Sequence, residues 1–327
     1  MNKHGREVFL TPGLWLFSLI LTEVRMAVKV ASPRRGLTIY TKRRLWGLAF
    51  VVPTFLFFAI FAFYPMVNAF VISFTDYNLV SAPKLVGLTN YIHMLADARF
   101  KIMIGNTLGF VVGSTIPTIL ISLALALVLQ RKFLGRDLVR TLYFLPVIFS
   151  GVVVAIVWRL LYHPYGLINT LLEPIIHDTP RWITSTYLAP WALIILNVWQ
   201  SAGFYMVIFI AGLQNIPEDF YDSAKVDGAN QSQSFWYITL PLLKPTSLLV
   251  LVISMINFFQ TFTYQYVMTK GGPGDATNVI SLYIYTNAFQ YQYMGYASAM
   301  SIVMFLFIMV LTLIQFRVVR TENISYV

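Results

Sequence analysis

Four histidines, His4, His93, His163 and His177, are the side chains that general-base or metal chemistry would have to use, and they are scattered over different loops and termini. None stands in a Ser-His-Asp or metal-ligand pattern. No G-x-x-x-x-G-K-[ST] phosphate loop occurs, nor any Gly-Lys pair, so no nucleotide site is expected in this chain. The sequence assigns no catalytic residue and no metal. Its polar chemistry lies inside two apolar runs instead. "NVWQSAGFY" carries Asn197, Gln200, Ser201 and Phe204, and "SMINFFQTFTYQY" carries Ser254, Asn257, Phe258, Gln260 and Thr261. Amides are costly in hydrocarbon, so they face a cavity or a second helix. Aromatic faces beside amides suit sugars, whose C–H patches stack and whose hydroxyls need donors and acceptors. The competing reading is that the same groups glue helices together.

The elements that position these groups follow from composition. The chain has 327 residues, 58% hydrophobic and only 11% charged, with a mean hydropathy of +0.70. Long uncharged apolar runs in such a chain make it an integral membrane protein. A helix needs about 20 apolar residues to cross the hydrocarbon core. Six segments qualify: 45–64, 108–129, 142–161, 188–213, 246–268 and 297–316. Continuous runs exclude a barrel, whose strands alternate over about ten residues. The fold class expected is all-α and polytopic, with a basic N-terminal segment at 1–44, a membrane domain at 45–316 and a tail at 317–327.

Lys and Arg mark cytoplasmic connections. Nine precede the first span, four fall in "RKFLGRDLVR" (131–140), two in the stretch 214–245 and two after the last span, which puts seventeen of 23 on one side. Both termini and 214–245 are therefore expected in the cytoplasm, and 65–107, 162–187 and 269–296 outside. The net charge of +10 then reflects topology and anionic lipid headgroups, with no need for nucleic acid. The apolar run "VFLTPGLWLFSLIL" (8–21) is short and interrupted by Pro12 and Gly13, which suits an interfacial segment. The absence of cysteine means only that the outer loops carry no disulfide.

The stretch 214–245 is long for a connector. Pro217 suits a first helical turn, Glu218 and Asp219 suit the positive end of the helix dipole, and Gly228 suits a stop, so 217–227 reads as a short helix. Asn230 caps a second one carrying Phe235, Trp236 and Ile238. Ser223, Ala224, Gly228 and Ala229 are small and permit close approach by another backbone. The loop reads as a docking element.

"DSAKVDGANQSQSFWYITLP" resembles the EAA motif of permease subunits of binding-protein-dependent ABC importers. Asp222, Ser223 and Ala224 stand at the Glu-Ala-Ala positions; Asp227, Gly228 and Ala229 match Asp-Gly-Ala; Ile238, Leu240 and Pro241 match its end. Asp222 keeps the charge with one methylene less, and Ser223 replaces an alanine. "LTNYIHML" (88–95), "RTLYFLPVIFSGVVVAIVWRLLYHPYGLIN" (140–169) and "TKGGPGDATNVISLYIYTNAF" (269–289) look like the carbohydrate-type importers of this group.

The resemblance implies a six-helix permease core pairing with a second, homologous permease subunit. It also implies two ATPase subunits that bind ATP and magnesium and dock on 217–229, and an external solute-binding protein that delivers a carbohydrate. The setting implied is a bacterial or archaeal inner membrane. In the maltose-type relatives the sugar sits halfway through the membrane. Alignment on Trp199 and on Gly271, Gly272 and Pro273 puts Asn197, Gln200, Ser201, Phe204, Ser254, Asn257, Phe258 and Thr261 at sugar-facing positions. Two other readings compete. A stand-alone secondary transporter or channel has no use for a docking loop and commonly carries an intramembrane acid, which the six spans lack; a membrane enzyme needs a catalytic cluster.

Overall fold

The structure, a computed structural model, describes residues 39–318 except 132 and 177, with side chains from residue 43 onward. The interfacial segment expected at 8–21 and the end of the tail, 319–327, lie outside the described residues. The described residues divide into two compact units, one up to residue 71 and one from residue 72 onward. In the first unit, α1 (Ile39–Phe58) continues through a π-helical turn at Ala59–Phe63 into α2 (Tyr64–Ile72). Together they give a membrane-length helix, Arg43–Ile72.

The second unit opens with a two-stranded antiparallel ribbon, β1 (Thr75–Asp76) and β2 (Lys84–Leu85), and α3 (Thr89–Ala96). Asp97 caps the long helix α4 (Ala98–Gln130) by accepting from the Arg99 N–H at 2.9 Å. Capping makes the helix begin ten residues before the apolar run does, because Arg99 and Lys101 are helical but not hydrophobic. Next come α5 (Arg136–Ile148), α6 (Gly151–Leu161), α7 (Leu167–Leu172) and α8 (Leu188–Gln214). The stretch 214–245 holds α9 (Glu218–Val226) and α10 (Gln231–Ser234), extended by a π-helical turn (Phe235–Thr239) into α11 (Leu240–Leu242). Then follow α12 (Lys244–Gln260), a π-helical segment (Gln265–Thr269), α13 (Ile280–Tyr285) and α14 (Met294–Val318).

Among the described residues, five helices are long and apolar enough to cross a membrane, and the pair α5 and α6 makes a sixth if counted as one span. The third span is therefore not the single helix expected over 142–161. Its arms meet at 101°, because Phe149 and Ser150 are extended, with ψ of 143° and 133°. The fifth is also interrupted: Thr261 ends α12 at ψ 135°.

The core is built on α8, which packs along α4 and against α5 and α12. Lipid gives helices little hydrophobic reason to associate, so small residues and close packing decide the interface. Gly203 shows how tight this is: a Cβ there would lie 2.0 Å from the Tyr143 carbonyl oxygen of α5. Ser122 of α4 donates its hydroxyl to the Ala202 carbonyl at 2.8 Å. Tyr205, Phe209 and Leu213 of α8 are buried with Leu129, Leu243, Phe258 and Phe259. Farther out, Leu193 and Leu196 join Val154, Tyr162 and Met268 in a second cluster.

Candidate functional site

The stretch 214–245 forms helices where its sequence directs. Pro217 stands at the N-cap of α9, Glu218 and Asp219 occupy the first turn and Lys225 the last, each charge complementing the helix dipole. The helix closes in a Schellman arrangement. Ala229 N–H donates to the Ala224 carbonyl at 2.8 Å and Gly228 N–H to the Lys225 carbonyl at 3.1 Å. Gly228 sits at φ +81°, the left-handed region that a side chain disfavours. Asn230 and Gln233 then form a capping box that starts α10.

The outward face of α9 differs from the small-residue face expected. Ala224 is buried and Ala229 half-buried, while Phe220, Ser223, Val226, Asp227 and Gly228 are exposed. Val226 is 88% exposed, so two apolar side chains, Phe220 and Val226, stand on the exposed side of α9 where small residues are expected. Asp222 accepts from Lys225 Nζ at 2.7 Å, both side chains being exposed. That hydrogen bond and the adjacent negative charge raise the Lys225 pKa. Tyr221 Oη and Thr239 Oγ1, 3.0 Å apart, tie α9 to the following π-helical turn.

The mid-span groups separate into two sets. Around Tyr205, Asn257 is exposed and donates its amide to the tyrosine hydroxyl at 3.2 Å. Phe204 is exposed and Phe258 is buried, each meeting the Tyr205 ring edge-on. Gln260 is exposed and Thr261 half-buried beside them in sequence. Ser254 is fully buried and donates to the Leu251 carbonyl at 3.1 Å. Tyr205 is one of the residues through which α8 and α12 meet, with Phe209 and Gly212 among the others; nothing in its spacing singled it out.

The second set lies toward the outer half of α8. Asn197 is buried, its carbonyl accepts from the half-buried Ser201 hydroxyl at 2.6 Å, and its side-chain Nδ2 has no partner among the described residues. Gln200, also buried, uses both ends of its amide within the chain. Nε2 donates to the Phe149 carbonyl at 3.1 Å and the Pro146 carbonyl at 3.4 Å, and Oε1 accepts from Tyr264 Oη at 2.7 Å. These carbonyls are the ones freed by the break in the third span. The two polar faces expected to meet across α8 and α12 thus meet through Tyr205, Asn257 and Phe258, with Asn197, Gln200 and Ser201 as a separate group.

On the far side of the membrane domain, Asp97 Oδ2 accepts from Tyr283 Oη at 2.9 Å and Tyr296 Oη at 2.8 Å. Burial works to raise the Asp97 pKa, but these bonds and those from the backbone N–H groups of Phe100 and Arg99 hold it below the usual value. Tyr283 is pushed up to about 12 by burial and by the same carboxylate. Arg99 pairs with Asp275 at 3.2 Å, and Asn106 Nδ2 donates to the carbonyls of Asp275 and Asn278. The Gly271–Gly274 turn is thereby anchored to α4. Among the described residues no cluster of three or more His, Cys, Asp or Glu side chains is arranged to hold a metal.

Comparison with known proteins follows the same lines. A family model described as binding-protein-dependent transport system inner membrane component matches residues 110–321. The chain is 41% identical over 281 residues to the probable ABC transporter permease protein YesP of Bacillus subtilis, covering 84% of this chain and 91% of that protein. It is 32% identical over 287 residues to the probable starch degradation products transport system permease protein AmyD of Thermoanaerobacterium thermosulfurigenes, covering 88% and 98%. Among solved structures it resembles a chain of a bacterial alginate ABC transporter in complex with alginate pentasaccharide-bound periplasmic protein. That match has a TM-score of 0.76 and 28% identity over 85% of this chain and 95% of that one.

Proposed function

The chain belongs to the family of binding-protein-dependent transport system inner membrane components, and from that premise we propose that it is one half of the translocation pore of an ATP-driven carbohydrate importer. A second, homologous permease subunit supplies the other half. Two separate ATPase subunits bind ATP and magnesium and hydrolyse the nucleotide, and an external solute-binding protein loads the sugar. Residues 214–245 and both termini lie on the cytoplasmic side of the inner membrane of a bacterium or archaeon.

The observation that carries this reading is α9. A nine-residue helix with a defined start, a Schellman stop at Gly228, one face packed through Tyr221 and Ala224, and exposed Phe220 and Val226 is a rigid element with apolar anchors on its free face. Such a lever suits force transmission, since a nucleotide shifts a two-state pore only through contacts that differ between the states. The carbohydrate class is supported by the names of the relatives and by the exposed Phe204 and Asn257 that meet Tyr205, with Phe258 buried behind them. Ser254, Gln260 and Thr261 lie on the same stretch of chain, and Asn197 and Ser201 form a separate polar group on α8. The test is reconstitution of this chain with its permease partner, ATPase and binding protein, followed by ATP hydrolysis across a panel of oligosaccharides. One saccharide class should stimulate hydrolysis through the binding protein. Solute uptake by the chain alone, driven by an ion gradient, would favour a secondary transporter instead.

A further inference from the structure

A broken helix inside a membrane exposes backbone carbonyls that must find donors within the protein. The third span breaks at Phe149–Ser150 and the fifth at Thr261. The two breaks share one side chain. Gln200 Nε2 covers the Pro146 and Phe149 carbonyls on one side, and Gln200 Oε1 takes the hydroxyl of Tyr264, three residues past the second break. Gln200 is only 8% exposed, so little of its amide is open to water.

The segments beyond the breaks also pack on each other. A Cβ on Gly151, the first residue of α6, would stand in van der Waals contact with Tyr264 at 3.5 Å and Thr263 at 3.7 Å. Farther along, α6 packs on the π-helical segment Gln265–Thr269, and Val154 and Ala155 are buried with Met268. On the cytoplasmic side of the breaks, α5 and α12 are held to α8 independently, through Gly203 against Tyr143 and through Tyr205 against Asn257. The unbroken α8 carries Gln200 at the junction.

We infer that Gln200 is a positioning residue that joins the two breaks into one hinge, so that α6 and the segment from Thr263 to Thr269 move as a single outer unit that slides on the Leu193 and Leu196 surface of α8, while α5 and α12 stay with α8. This rests on the reading of the chain as an importer permease, and it gives Gln200 a different task from the sugar contact expected of it. A sugar contact governs affinity. A hinge governs the rate of the conformational step and leaves solute affinity alone.

The test uses the full complex in liposomes or nanodiscs. Because the chain has no cysteine, spin labels can be placed on Leu142 and Leu160 across the first break, and on Leu160 of the outer unit and Lys270, the capping residue directly after that unit. The Leu142–Leu160 distance should change between nucleotide-free and ATP-trapped states while the Leu160–Lys270 distance stays fixed. Gln200→Leu should broaden both distributions and lower transport kcat about threefold to tenfold, the range for losing buried hydrogen bonds, with KM for solute-loaded binding protein unchanged. Tyr264→Phe, which removes one hydroxyl at constant shape, should give a smaller loss, and the double variant should be no worse than Gln200→Leu. Should Gln200→Leu fail to assemble, Tyr264→Phe carries the same kinetic and distance tests. A Leu160–Lys270 distance that changes with nucleotide, or a raised KM at constant kcat, overturns the inference. Failure of the wild-type chain to form any complex with an ATPase would instead overturn the functional reading beneath it.

Discussion

The Asn257 amide donates to the Tyr205 hydroxyl at 3.2 Å, joining α8 of the fourth span to α12 of the fifth. Asn257 is exposed, whereas Tyr205 is only 1% exposed, so the bond orients an accessible amide from a fixed support. Asn257→Leu removes the amide at similar bulk and should raise KM for the solute severalfold with the complex still assembled. Tyr205→Phe should give a weaker form of the same change. Solute-dependent ATPase kinetics on purified complexes check both.

Phe258→Ala should behave differently, because Phe258 is buried against Tyr205 and Phe259. Truncating a buried phenylalanine costs about 3–5 kcal/mol in soluble cores, part transfer and part cavity. The cavity part persists in a bilayer, so thermal stability should fall before solute preference changes. A thermal midpoint equal to wild type, together with altered sugar selectivity, would return Phe258 to the accessible wall.

The spans and the short helix α9 were legible because local residues determine them. Apolar length marks a span, and Pro217, Gly228, Asn230 and Gln233 sit at cap positions that α9 and α10 use as written. The 101° break was not legible, since "LPVIFSG" is as apolar as the helices beside it and hydropathy does not register two extended residues. Gln200 reads as a pore amide until Pro146, Phe149 and Tyr264 are seen around it, and those partners lie 51 to 64 residues away in sequence. Asp97 was missed for the same reason: a lone acid in a loop carries no mark of two tyrosines almost two hundred residues downstream.

Gly228→Asp tests the end of the docking helix. No atom lies within 4 Å of a Cβ at this position, but φ is +81°, so the cost is backbone strain of about 1–2 kcal/mol plus a new charge beside Asp227. Membrane insertion should be normal and solute-stimulated ATPase lost. Gly228→Asn, better tolerated in the left-handed region, should retain more coupling than Gly228→Asp.

Asp222→Ala removes the acceptor of Lys225 Nζ. Both groups are exposed, so the thermal midpoint of the chain should not move. Affinity for the ATPase should fall, and Asp222→Glu should restore it. Undiminished affinity in Asp222→Ala, measured by binding of purified ATPase to the reconstituted permease pair, would show that the carboxylate serves only its own helix.

Asp97 sets an acid limit. Its folded pKa is lowered, so the stability it contributes is fully present above its unfolded value and is lost as pH falls through the folded one. Thermal midpoints of wild type should therefore decline below about pH 4 more steeply than those of Asp97→Asn, which should begin lower and stay flatter. Parallel curves for the two proteins would mean that the Tyr283 and Tyr296 bonds do not depend on the carboxylate charge.

The central claim, a permease half coupled to an ATPase through α9, is tested most directly by solute-stimulated ATP hydrolysis in liposomes containing this chain, its permease partner, the ATPase and the binding protein. The comparison is between wild type and Val226→Asp, whose substitution places a charge on an 88% exposed apolar side chain without touching the membrane domain. Hydrolysis should rise with solute-loaded binding protein in wild type and lose that response in the variant. Equal stimulation of both complexes would contradict coupling through this helix, and solute uptake in the absence of any ATPase would contradict the account as a whole.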